Sequence, residues 1–182
     1  MFLKRIILLL SIIAIGVLGY TYFYTDLFKK RLSPKDTVEF RLNDLELEVF
    51  YYRPSKRERV IFGGLVAYNK VWRTGANEAT TFETNQALKI GNDSLAAGIY
   101  TLWTIPNKDF WQIIFNSKQY PWGVNDAMEA MRETEFDVIN IDIPVEELHT
   151  VVEQFTIAFD NSTDNLSLTM AWDKVKIVIP LK

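Results

Sequence analysis

The densest polar stretch of the chain is Arg73-Thr74-Gly75-Ala76-Asn77-Glu78. Arg73 supplies a planar fork of donors, Asn77 a mixed donor and acceptor, and Glu78 an acceptor or base. Such a set on a loop can grip a carboxylate, a phosphate or sugar hydroxyls. The competing structural reading pairs Arg73 with Glu78 and turns Asn77 into the left-handed region beside Gly75. Trp122 completes the candidate set, because it follows Tyr120-Pro121 on a loop, where an indole can stack on a sugar ring. Trp103, Trp111 and Trp172 lie within strand-like runs and are assigned to the core.

No catalytic residue is assigned. The single histidine, His149, is flanked by Glu146 and Glu147 and reads as solvated, with no Gly-x-Ser-x-Gly elbow to serve. Cysteine is absent, which removes thiolate nucleophiles, disulfides and Cys-ligated metals, and one histidine cannot build a multi-histidine site within one chain. Asp160–Asn165 alternates oxygen-bearing side chains but lacks the glycine and distal glutamate of a calcium loop, so it is read as a polar hairpin connection. No metal and no cofactor are expected. A carboxylate-based hydrolase would need a second acid within ~5–10 Å of Glu78, which no spacing in the sequence reveals.

The scaffold that must hold these residues is short. At 182 residues, 48% of them hydrophobic, one core is affordable and two are not. After Ser33-Pro34 the dominant period is two. Val38, Phe40 and Leu42 alternate with polar residues, as do Leu45, Leu47, Val49 and Tyr51, and Asn43-Asp44 between them is a hairpin turn signal. The alternation recurs at Ile139/Ile141/Ile143, Phe155/Ile157/Phe159, Leu166/Leu168/Met170/Trp172 and Val175/Ile177/Ile179. Ile99–Ile105 and Phe110–Phe115 are apolar at both parities and read as central strands joined by the turn Pro106–Asp109. This predicts an all-β antiparallel sandwich over 32–182, a jelly-roll arrangement remaining open, with one or two short helices. Val124, Ala127, Met128 and Met131 at i, i+3, i+4 and i+7 predict an amphipathic helix over about 124–134, and Val145–Val151 a weaker helical turn.

Residues 1–31 have a different composition. Lys4 and Arg5 precede an uncharged run, Ile6–Tyr24, which ends in aromatic residues and is followed by Asp26 and Lys29-Lys30-Arg31. Nineteen helical residues extend roughly 28 Å, close to the ~30 Å hydrocarbon core of a bilayer. The run is read as an uncleaved transmembrane anchor, with membrane lipid as its partner along 6–24. A cleavable signal is the rival, with Gly16–Gly19 as its weak small-x-small site. Beyond residue 31 the chain has 15 basic and 22 acidic residues, a net charge of −7, which argues against a nucleic-acid partner.

One further signal is a likeness. Tyr51–Ser55, Ile61–Val66, Val71–Thr80, Ala97–Leu102, Thr104–Pro106, Trp111 with Ile114–Asn116, Trp122-Gly123 and Ala171-Trp172 follow one another in order. Together they resemble a bacterial family known only as domain of unknown function 2911, over about 33–182. The resemblance implies an exported protein and no particular reaction. The chain departs from the family in its long aromatic N-terminal run and in the helix-like insert after Trp122. The combined expectation is a non-catalytic envelope sandwich, tethered to a bacterial inner membrane with its body on the periplasmic side. It would bind a glycan, a small anion or a partner through Arg73, Asn77, Glu78 and Trp122. The alternatives are a glycan hydrolase and a purely structural envelope protein.

Overall fold

A computed structural model describes residues 2–27, 31–163 and 165–182, without the side chains of 23–27. Lys29, Lys30 and Asp164 therefore lie outside the described residues, as do the side chains of Phe23, Tyr24 and Asp26. The chain divides into two compact units, Met1–Leu32 and Ser33–Lys182. The first is one helix, α1 (Phe2–Leu27), whose stretch Phe2–Tyr22 is long and apolar enough to cross a membrane. Its side chains from Phe2 to Tyr22 are all exposed.

All pairings between the strands of the second unit are antiparallel. β1 (Lys35–Leu42), β2 (Leu45–Tyr52), β3 (Thr81–Thr84), β6 (Gly98–Pro106), β7 (Phe110–Asn116) and β8 (Asp137–Pro144) form a six-stranded sheet in the order β1-β2-β3-β6-β7-β8. β9 (Glu146–Asp160) and β10 (Ser167–Pro180) make a long second ribbon, and β4 (Leu88–Ile90) with β5 (Asp93–Leu95) a small third one. The inward positions of the large sheet, among them Leu47, Val49, Tyr51, Phe82, Leu102, Ile113 and Phe115, meet Phe155, Ile157, Met170 and Trp172 of the ribbon in one core. The two-residue turn Asn43-Asp44 sets the β1–β2 register, with Leu42 opposite Leu45 and Asn43 at φ 53°. β6 and β7 are interior strands, as their double-sided hydrophobicity predicts.

Specific polar contacts fasten the layers. The Tyr51 hydroxyl accepts from the Ile157 backbone N–H at 3.0 Å, tying β2 to β9 across the core. Desolvation is the largest influence on that phenol and raises its pKa. Arg53 donates to Asp36 (3.1 Å), to the Phe155 carbonyl (3.2 Å) and to the Thr156 hydroxyl (2.9 Å), so one guanidinium joins β1, the end of β2 and β9.

Two local expectations fail. The predicted helix over 124–134 is a tight hairpin loop instead. Val124 bridges Ala130, the Asn125 N–H donates to the Glu129 carbonyl (3.0 Å), and the Asn125 Oδ1 accepts the Glu129 N–H (2.9 Å). Gly123 and Met128 both have positive φ, 76° and 63°, which an α-helix does not accommodate. The helical element in this region is a single 3₁₀ turn, Thr134–Phe136. Val145–Val151 is likewise not helical: most of it begins β9, where Glu146 and Glu147 pair with Lys176 and Val175 of β10. Strand pairing supplies the backbone hydrogen bonds that an isolated helical turn would have had to supply itself.

Candidate functional site

The motif Trp72–Thr80 runs along β6 just ahead of the start of β3. Trp72 exchanges backbone hydrogen bonds with Thr104 (2.7 and 3.0 Å), and the Thr80 carbonyl accepts from the Leu102 N–H (2.8 Å). Between them residues 73–79 form a loop closed by the Thr80 N–H donating to the Arg73 carbonyl (3.3 Å). Its inner side is structural. The Trp72 indole stacks on Trp172 at 6.0 Å and 19°, packs against Phe155 at 5.0 Å, and donates Nε1–H to the Gly75 carbonyl (3.0 Å). Thr74, at φ 57°, is buried and hydrogen-bonded to the Thr104 hydroxyl (3.2 Å), while the Thr80 hydroxyl donates to the Thr74 carbonyl (2.8 Å). Gly75 is needed for space, since a Cβ there would stand 2.9 Å from the Tyr52 carbonyl oxygen and 3.1 Å from the Thr80 hydroxyl.

The outer side carries the four candidate residues. Arg73 is half-buried, its Nη1 donates to the Trp122 carbonyl (3.1 Å), and its guanidinium lies 6.0 Å from the centroid of the Trp122 ring. Burial lowers the Arg73 pKa from its ordinary value, and the charge of Glu78 works against that shift. An arginine side chain keeps its charge at neutral pH, so the group stays cationic there. Asn77 takes the left-handed conformation (φ 56°), as the structural reading expects, and its amide donates to the Ser33 carbonyl (3.3 Å) just before β1. The structure thus brings Arg73 to Trp122 and within electrostatic range of Glu78, and commits the Asn77 amide to Ser33. Trp122 is 46% exposed, whereas Trp103, Trp111 and Trp172 are buried.

What supports this rim was not legible beforehand. Trp122 sits on the long β7–β8 connection, and Gly123 presses so closely on the 73–79 loop that a Cβ would lie 3.0 Å from Ala79 and 3.3 Å from the Arg73 Cβ. Beneath them a small second core, Ala79, Trp103, Ile114 and Tyr120, covers the outer face of β6 and β7. Asn116 pins the connection at both ends: its amide donates to the Glu133 carbonyl and to Asp137 (both 2.8 Å), and its oxygen accepts the Lys118 N–H (3.0 Å). Arg132 pairs with Asp137 nearby, and His149 stands exposed on β9. Among the described residues, no group of three or more His, Cys, Asp or Glu side chains is placed to hold a metal ion.

An apolar N-terminal helix followed by an antiparallel sandwich with a braced arginine–tryptophan rim defines a β-sandwich module with a candidate membrane anchor. The chain belongs to the family described as protein of unknown function (DUF2911), whose model matches residues 33–181. No curated protein and no solved structure matches it.

Proposed function

We propose that the protein is a non-catalytic recognition module, held at the outer face of a bacterial inner membrane by residues 6–24 and meeting its ligand through Trp122. The carrying observation is the braced indole: Trp122 is 46% exposed while Arg73 holds its carbonyl and lies over its ring. A large apolar ring kept open to water and fixed in orientation loses little conformational entropy when a flat ligand stacks on it. A glycan is the ligand class that fits such a platform. A small anion fits less well, because the Arg73 fork already faces a carbonyl and an aromatic ring. Glu78 acts as the electrostatic counterpart of Arg73, which supports recognition over a carboxylate-based hydrolase. Asn77 contributes by closing the loop onto Ser33.

Retention of the full chain, reconstituted in lipid nanodiscs, on immobilised cell-wall glycans tests this reading. The wild type should be retained and Trp122→Ala released, with its melting temperature lowered by no more than about 4 °C. Equal retention of both would remove Trp122 from recognition.

A further inference from the structure

At the opposite end of β1 and β2 from the Arg73 loop, beside the Asn43-Asp44 turn, an open cleft of about 400 Å³ is floored by five leucines, Leu42, Leu45, Leu88, Leu166 and Leu181. They come from four separate segments, and two of them, Leu88 and Leu181, are buried while Leu42 is left 52% exposed at the mouth. Amides and a hydroxyl rim it, from Asn161, Thr163 and Asn165, together with Lys182. The backbone of Lys182 exchanges hydrogen bonds with that of Lys89 (2.5 and 2.9 Å), which sets two exposed lysines side by side at this edge.

We propose that this cleft binds a single-chain amphiphile of the fatty-acid class, its alkyl chain along the leucines and its carboxylate toward Lys182. The volume is that of a small-molecule site. An all-leucine floor offers no hydrogen bond, so a sugar or a peptide backbone entering it would leave polar groups unpaired, whereas an alkyl chain loses nothing there. Lys182 is the cation among the described lining residues, and its ammonium suits an anionic head. The site is separate from the Trp122 rim and does not depend on it.

The test uses the full chain in phosphatidylcholine nanodiscs with a diazirine-bearing dodecanoate, followed by peptide mapping of the photo-adducts. Labelling is expected on the peptides holding residues 42–45 and 161–166, suppressed by excess dodecanoate. It should fall roughly tenfold in Leu42→Asp, a change at an exposed position, and several-fold in Lys182→Glu. Trp122→Ala should label as the wild type does, which keeps this site distinguishable from the rim. Adducts confined to α1, undiminished labelling in Leu42→Asp, or equal competition by dodecyltrimethylammonium in the wild type would each overturn the proposal.

Discussion

At Arg73, two contacts with Trp122 and one charge meet. Its guanidinium donates to the Trp122 carbonyl, lies over the indole and feels Glu78. The two contacts with Trp122 can be separated, because replacing the tryptophan side chain leaves its carbonyl in place. Arg73→Ala should lower stability by about 1–2 kcal/mol, the combined loss of one hydrogen bond and a partly desolvated cation–π contact. Trp122→Ala should cost less, since nearly half of the side chain is already in water. The double variant should fall short of additivity by about 0.5–1 kcal/mol in thermal or denaturant unfolding. Strict additivity would mean that the ring contact contributes nothing and that the carbonyl alone orients Arg73.

The β7–β8 connection is the element on which the rim depends, and its fastening lies in Asn116 more than in its own sequence. That side chain is fully buried and satisfies Glu133, Asp137 and Lys118 at once. Asn116→Ala should destabilise the fold by about 1–3 kcal/mol, since it removes a buried amide and strips partners from half-buried groups. Hydrogen exchange should show the change locally, with protection lost across 117–136 before β6 and β7 are affected. Unchanged protection there would shift the fastening to the Arg132–Asp137 pair. A related device works in the second ribbon. Buried positions run Leu168, Met170, Trp172 and then Ile177, Ile179, Leu181, so the parity changes once. Register shifts fall on both sides of Asp173, which has φ 55°: between the Ala171–Thr156 and Val175–Glu147 pairs β9 runs five residues further than β10, and Lys56 holds that point through an ion pair at 2.6 Å.

At the scale of the whole molecule, the two units pose different solvation problems. The sandwich buries Trp103, Trp111 and Trp172, whereas Phe2–Tyr22 presents apolar side chains on every side. We propose that residues 1–31 stay attached as the anchor and that 32–182 form the body. Intact mass of the membrane-extracted protein should then correspond to the full chain. A mature start between residues 20 and 35 would instead make the segment a cleaved signal, leaving the body untethered.

The strands were readable from the chain because alternation is a local property: a residue's parity fixes which face it occupies once its strand is paired. Asn43-Asp44, Pro106–Asp109 and the alternating runs of β1, β2, β8, β9 and β10 were therefore legible, as was the apolar helix α1, whose length and composition are set along the sequence. Helical spacing misled at 124–131 because four apolar residues cannot outweigh the cost of nucleating a short helix, while Asn125 closes a turn within its own neighbourhood. The candidate rim was half legible: the types of Arg73, Glu78 and Trp122 suggested contact chemistry. That Arg73 meets a residue 49 positions away, and that Asn77 turns to Ser33, came from the fold alone. The leucine cleft was hidden for the same reason. Its five side chains lie on four segments spanning residues 42 to 181, and each reads locally as ordinary core. Their meeting depends on the sheet order and on the β10–β4 pairing at Leu181 and Ile90. Such long-range contacts are selected by the free energy of the assembled core, which no short window of sequence contains.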